Sequence, residues 1–150
     1  MHDRKVRSIL VIDDDRDDFE IVSEAVLLID PQIVVSFLDR CEDGGRYKDQ
    51  TFDIILLDIN MPRHDGFEWL EGIRRHGYGN LPVIMYTSSS SPENIERAYH
   101  SGANLYFTKP ESFASLVKGL KKLIEFDWTD PYRIPQMHYQ NGRYTTLQVA

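Results

Sequence analysis

The chain has 150 residues, of which 41% are hydrophobic, and a formal net charge of −7; this length fits about one domain, and the apolar content argues against disorder. The acidic balance disfavours nucleic acid or an anionic membrane as the main partner, because phosphate contacts need clustered Lys and Arg. Cys41 is the only cysteine, which excludes an internal disulfide or a thiolate zinc site, and the apolar run at 9–12 is too short for a signal peptide or a membrane span. We therefore expect a soluble, cytoplasmic protein that binds neither DNA nor a membrane.

Strand and helix patterns alternate along the chain. Short apolar runs between turn residues predict strands, and apolar residues spaced three or four apart predict helices. Ser91-Pro92 begins one of these helices and Gly102 ends it. Such alternation implies a parallel sheet with helices on both faces and right-handed crossovers. The predicted strands are 8–12, 33–38, 54–57, 81–87 and 104–108, and the predicted helices are 19–29, 40–50, 67–75, 92–101 and 113–124.

The third predicted strand ends on a carboxylate. The apolar run 54–57 shows no alternation, as expected for a central strand buried on both faces, and Asp58 follows it directly. Pro62 and Gly66 then predict a loop. In open α/β sheets, ligands bind beyond the carboxyl ends of the strands, which places Asp58 for chemistry. An acid at a strand end is also a common helix cap, so this residue alone does not decide the function.

Polar residues stand at the ends of four predicted strands. Asp13 and Asp14 follow the first strand, Asp58 follows the third, Thr87 ends the fourth, and Lys109 follows the fifth. Three carboxylates at one edge repel one another by a few kcal/mol at an effective dielectric of about 20, unless a cation lies among them. Mg²⁺ prefers such a site of few carboxylates and retained waters. Together Mg²⁺ and Lys109 balance the three negative charges, so the site can accept an anion.

This arrangement favours phosphoryl transfer. Asp58 is the candidate nucleophile, the metal and Lys109 neutralise charge on the phosphoryl oxygens, and the Thr87 hydroxyl donates a hydrogen bond. Four other acidic residues lie around the start of the first helix, and we expect them only to interact favourably with the positive end of the helix dipole. They are Asp15, Asp17, Asp18 and Glu20.

Four segments together carry a family signature. They are Ile-Leu-Val-Ile-Asp-Asp at 9–14, Leu-Leu-Asp-Ile-Asn-Met-Pro at 56–62, Val-Ile-Met-Tyr-Thr-Ser at 83–88 and Tyr-Phe-Thr-Lys-Pro at 106–110. In this order they resemble the receiver domain of two-component response regulators. The resemblance implies a receiver domain over 1–126 with the flavodoxin-like fold, which is a five-stranded parallel sheet of strand order 2-1-3-4-5 with helices on both faces.

The resemblance also implies a metal site. It makes Asp58 the phosphoacceptor, Asp14 a direct Mg²⁺ ligand and Asp13 a ligand through water. The backbone carbonyl of Asn60 completes the protein ligands.

Further roles follow from the same resemblance. Thr87 and Lys109 contact the phosphoryl group, and Tyr106 matches the switch aromatic whose rotamer changes as Thr87 moves. The Lys109-Pro110 peptide bond is expected to be cis. The phosphoryl donor is a histidine kinase or a histidine phosphotransfer protein, so the chain is a signalling phosphoacceptor that catalyses only its own phosphorylation and dephosphorylation.

The tail at 127–150 is predicted to be ordered. Asn141-Gly142 favours a type I′ hairpin turn, and an isolated hairpin needs a surface to pack against. That surface is either the last helix of the same domain or a second copy in a homodimer. Only 24 residues follow Phe126, so we expect a single-domain regulator with no separate output domain, acting by binding a partner protein or by passing phosphate onward. The apolar groups of the tail are too many to leave in water: Trp128, Tyr132, Ile134, Met137, Tyr139, Tyr144, Leu147 and Val149.

The sequence has three other interpretations. A haloacid-dehalogenase-like phosphatase places a second Asp two residues after its nucleophile, where this chain has Asn60. A flavodoxin-like cofactor binder needs a loop after the first strand that accepts phosphate, and the acidic run 13–15 would repel a flavin phosphate. A static receiver used only for interaction has the same residues, so the sequence alone does not separate it from a working one.

Overall fold

The computed structural model describes residues 5–39, 52–60, 65–75 and 80–149. Its centre is a five-stranded sheet in which each neighbouring pair is parallel, in the order β2-β1-β3-β4-β5. This confirms the predicted fold and strand order. The helix predicted at 40–50 lies outside the described residues. The strands are β1 (Ser8–Ile12), β2 (Val34–Leu38), β3 (Ile54–Leu57), β4 (Val83–Thr87) and β5 (Leu105–Thr108).

Alternate residues of the strands pack into two hydrophobic cores, one on each face of the sheet. Ile54 and Leu56 of β3 face α1 (Arg16–Ile29) and α4 (Phe113–Glu125), whereas Ile55 and Leu57 face α2 (Gly66–Arg75) and α3 (Pro92–His100). This alternation follows from the two-residue period of a strand. Because both faces are covered, all four residues of β3 are buried, which explains its unbroken apolar sequence.

Serine side chains cap the starts of α3 and α4, and the cap of α3 was predicted. The side chain of Ser91 accepts a hydrogen bond from the Asn94 amide, and Pro92 is the first residue of α3. Ser112 caps α4 in the same way, through the Ser115 amide. These bonds satisfy amides that would otherwise lack a partner in the first turn, so each serine sets where its helix starts.

The segment after α4 packs on the sheet and helices of its own chain. Trp128, Ile134 and Leu147 are buried in the core formed with α1 and α4. A short helix, α5 (Arg133–Met137), is followed by a hairpin of β6 (Tyr139–Gln140) and β7 (Arg143–Tyr144). The hairpin turn places Asn141 and Gly142 at φ 54° and 80°, the positive angles that a type I′ turn requires. The homodimer considered above stays a prediction.

Within the described ranges, no helix combines the length and the apolar character needed to cross a bilayer.

Candidate functional site

Three carboxylates meet at the carboxyl edge of the sheet. Oxygens of Asp13, Asp14 and Asp58 lie within 4.8 Å of one another. The sheet register causes this meeting, because Ile12 of β1 is paired with Leu57 of β3 and the acids follow directly. Asp13 and Asp58 are buried whereas Asp14 is exposed. The cluster therefore has two fixed inner carboxylates and one side open to solvent.

Backbone amides orient the two buried carboxylates. The Oδ1 atom of Asp13 accepts a hydrogen bond from the Asp15 amide at 3.0 Å. The Oδ1 atom of Asp58 accepts one from the Asn60 amide at 3.1 Å. The Oδ2 atom of each carboxylate is left to face the ammonium group of Lys109.

Lys109 brings the positive charge to the cluster. Its Nζ lies 2.6 Å from Asp18 Oδ2, 3.1 Å from Asp13 Oδ2 and 3.4 Å from Asp58 Oδ2. The strand ladder holds its backbone, since the Lys109 amide donates to the Thr87 carbonyl at 2.7 Å. The peptide bond to Pro110 is not cis, because the described residues contain no cis bond. The cis prediction is therefore wrong; trans is the lower-energy isomer by about 0.5–1 kcal/mol, and with it Lys109 already reaches the carboxylates.

The pKa values of Asp13 and Lys109 are both raised, for different reasons. Burial raises the pKa of Asp13 to about 7, against the opposing effects of the Asp15 amide and Lys109. Burial alone would lower the pKa of Lys109, but its hydrogen bond to Asp18 and the charges of Asp58 and Asp13 outweigh burial and raise it. The raised pKa of Lys109 indicates that negative charge dominates around its ammonium group. Carboxylate oxygens in this state fit a hard divalent cation such as Mg²⁺.

Thr87 offers a further donor at this edge. Its side chain is fully buried, and within the part of the chain that the structure describes its Oγ1 has no hydrogen-bond partner. A buried hydroxyl without a partner is unusual and unfavourable, by about 1–3 kcal/mol. The Thr87 hydroxyl is therefore an unsatisfied donor among the described residues, and its contact with a phosphoryl group stays a prediction.

Tyr106 lies inside the protein. Its residue is fully buried, and its hydroxyl donates to the Ser89 carbonyl at 2.8 Å. Its backbone amide donates to the Tyr99 hydroxyl at 3.1 Å. The predicted switch residue thus has an inward rotamer held by the loop that follows Thr87.

Gly66 lies very close to the backbone of Asp58. Asn60 and Asp65 form an isolated antiparallel bridge. A Cβ atom on Gly66 would lie 2.3 Å from the carbonyl oxygen of Asp58, so any larger residue would displace that backbone. Asn60 is exposed beside Asp58, and the metal-ligand role of its carbonyl stays a prediction.

Asp18 is the site residue that the sequence reasoning missed. It was assigned only to the positive end of the first helix, yet it makes the shortest contact to Lys109. Asp18 and Lys109 are 91 residues apart in the chain. Only the tertiary structure brings the first turn of α1 and the residue after β5 together, so the sequence carried no signal for this pair.

Known proteins of similar sequence and fold include response regulators and a receiver domain. FilR2 of Methanothrix harundinacea, described as a probable methanogenesis regulatory protein, is 33% identical over 109 residues, which cover 72% of this chain and 68% of FilR2. Response regulator Rcp1 of Synechocystis is 27% identical over 139 residues, which cover 85% of this chain and 92% of Rcp1. A solved receiver domain of a DNA-binding response regulator from Colwellia psychrerythraea 34H matches with a TM-score of 0.69 and 27% identity, over 80% of this chain and 99% of that one.

The match to a family covers most of the chain. Residues 9–121 match the response regulator receiver domain. That range contains the acidic cluster, the buried Thr87 hydroxyl and Lys109, and the strand order that brings them to one edge is also that of the receiver fold. The chain therefore belongs to the response regulator receiver domains of two-component signalling systems.

Proposed function

We propose that Asp58 accepts a phosphoryl group from the phosphohistidine of a histidine kinase or a histidine phosphotransfer protein. The observation that carries this proposal is the set of contacts at Asp58. One oxygen of its buried carboxylate is held by the Asn60 amide, and the other lies 3.4 Å from the Lys109 ammonium group. A nucleophile held in this way needs little reorganisation before attack.

In the proposed step, an Asp58 oxygen forms a bond to phosphorus while the phosphorus–nitrogen bond to the donor histidine breaks. The bonding electron pair leaves with the imidazole nitrogen. Lys109 supplies a positive charge to the phosphoryl oxygens, and the Thr87 hydroxyl donates to one of them. Dephosphorylation is the attack of water on the same phosphorus, which returns the carboxylate and releases phosphate.

We also propose that Mg²⁺ is the cofactor. Asp13, Asp14 and Asp58 would hold it, together with the backbone carbonyl of Asn60. When bound, it would neutralise charge on the carboxylates and on the transferred group. The support from this chain is the cluster of three carboxylate groups, two of which are buried.

The output is proposed to pass through a protein partner, either by binding it or by transferring the phosphoryl group onward. Asp58 lies at an edge of the sheet where Asp14 is exposed, so a donor or an acceptor histidine can approach from that side.

The deciding experiment is incubation with an acyl phosphate and Mg²⁺, followed by intact mass measurement. We expect the mass of one phosphoryl group to be added. Asp58→Asn should abolish the addition, and chelation of Mg²⁺ should suppress it in the unaltered chain. Asp130→Asn is a matched control, because Asp130 is exposed and lies outside the cluster.

Two results would contradict the proposal. Phosphorylation of Asp58→Asn at an undiminished rate would exclude Asp58 as the acceptor. An unaltered chain that gains no mass from the acyl phosphate, and none from a phosphorylated histidine kinase, would be a static receiver.

A further inference from the structure

Lys109 is held mainly by a residue outside the carboxylate cluster. The 2.6 Å contact to Asp18 is shorter than those to Asp13 and Asp58. It also has the length of a strong charge-assisted hydrogen bond, whereas the 3.4 Å contact to Asp58 is long for one. The ammonium group therefore has its strongest bond to Asp18.

The start of α1 sets the position of Asp18. Asp15 caps the helix through the Asp17 amide, and the Asp18 amide donates to the Asp15 carbonyl at 3.2 Å. Asp17 and Asp18 both lie in the first turn, but Asp17 is exposed, whereas the Asp18 side chain is only 26% exposed and meets Lys109. One turn of helix thus carries two acids, and only the second reaches the site.

We infer that Asp18 is a positioning residue for phosphorylation, which holds the Lys109 ammonium group beside Asp58 before the phosphoryl group arrives. This inference rests on the proposed function of Asp58. Asp18 itself touches neither the donor nor the phosphoryl group and acts through Lys109.

The physical reason is the freedom of a lysine side chain. Four rotatable carbons carry the charge, and holding them in one rotamer costs conformational entropy. The ammonium group has three donors. Two of these donors can remain hydrogen-bonded to Asp18 and Asp13, while the third exchanges its contact with Asp58 for a hydrogen bond to a phosphoryl oxygen. Without Asp18, only the longer contacts to Asp13 and Asp58 hold the side chain, so more of its ordering must take place during the reaction, which slows it.

The first test compares Asp18→Asn with Asp17→Asn. Both changes remove one negative charge from the same helical turn, so they alter the interaction with the helix dipole and the net charge near the site to a similar extent. We expect the rate of phosphorylation from an acyl phosphate to fall about tenfold in Asp18→Asn, equivalent to about 1.4 kcal/mol in the activation free energy. Asp17→Asn should keep the rate of the unaltered chain. Asp18→Glu, which retains the charge but shifts it by one methylene group, should be intermediate.

The second measurement reports on Lys109 directly. In a chain labelled with ¹⁵N-lysine, an ordered ammonium group gives a slowly exchanging NMR signal, which is assigned by its loss in Lys109→Arg. The signal should persist in Asp17→Asn and disappear in Asp18→Asn. A merely structural role would lower the melting temperature of Asp18→Asn but leave the signal in the folded fraction.

The inference is overturned if Asp18→Asn is phosphorylated at the unaltered rate, or if it is slow but retains the Lys109 signal. If Asp18→Asn does not fold, Asp18→Glu decides the question by the same two measurements. Failure of the proposed function looks different: the unaltered chain is then not phosphorylated at Asp58. The ammonium signal still shows in that case whether Asp18 orders Lys109.

Discussion

The backbone amide of Leu147 donates a hydrogen bond to the carbonyl of Tyr106 at 2.8 Å. The Tyr99 hydroxyl makes a second link, because it accepts from the Tyr106 amide and donates to the Thr145 carbonyl at 2.9 Å. The carbonyl of Tyr106 is thus hydrogen-bonded directly to the C-terminal segment, and its amide is linked to the same segment through the Tyr99 hydroxyl. At Tyr106 the segment therefore covers the outer side of β5, the last strand of the sheet, where the edge would otherwise be open.

Ending the chain after His138 should lower the free energy of unfolding by roughly 2–5 kcal/mol, the usual effect of losing a large buried side chain. The truncation removes Leu147, which is 6% exposed, and Tyr144, whose ring stacks on that of Tyr99 with 4.4 Å between the ring centroids. Urea denaturation measures the change. Met137→Ala is the control, because Met137 is 60% exposed and should change stability by no more than about 0.5 kcal/mol. An unchanged unfolding midpoint in the truncated chain would mean that the segment does not contribute to the fold.

Gly66→Ala should destabilise the protein by about 1–3 kcal/mol and slow phosphorylation, because the new Cβ would displace the backbone of Asp58. Gly72→Ala is a matched control in the same helix, since a Cβ there meets nothing within 4 Å. It should be neutral or stabilise by up to about 1 kcal/mol, as alanine favours a helix interior. Thermal unfolding and phosphorylation rates measure both variants. Equal behaviour of the two would show that the close approach at Asp58 is unimportant.

Replacing Asp13 and Asp14 together by Asn should weaken Mg²⁺ binding at least about tenfold, because unit charges 4 Å apart interact by about 4 kcal/mol at an effective dielectric of 20. Isothermal titration with Mg²⁺ measures the affinity. Asp17→Asn serves as the control, being an exposed acid outside the cluster. Undiminished affinity in the double variant would place the metal elsewhere.

Binding of a phosphoryl mimic such as beryllofluoride should move both Thr87 and Tyr106. The Thr87 hydroxyl lacks a partner in the described part of the chain, so a hydrogen bond to the mimic is its strongest available interaction. We expect the bond between the Tyr106 hydroxyl and the Ser89 carbonyl to open in the crystal structure of the complex. Thr87→Val, which lacks the hydroxyl, should leave Tyr106 inward. If neither residue moves when the mimic binds, Tyr106 is a buried strand residue without a switching role.

Much of this protein follows from local pattern. Unbroken apolar runs such as 54–57 predicted strands buried on both faces, and Ser91-Pro92 predicted where α3 begins, because strand burial and helix capping depend on residues close in the chain. Because Asp58 and Lys109 each follow the carboxyl end of a strand, a parallel sheet places both of them at the same edge. Asn141-Gly142 likewise sufficed for the turn angles of the hairpin.

The sequence by itself therefore determined the strands, the edge that carries the acids and the family motifs. Only the tertiary structure decided which side of α1 faces that edge, and hence that Asp18 and not Asp17 reaches Lys109. It also decided that Leu147 packs on β5 of its own chain and that Lys109 reaches the carboxylates through a trans bond to Pro110. These contacts join residues far apart in the chain, and their energies depend on the packing of whole elements, which no local pattern records.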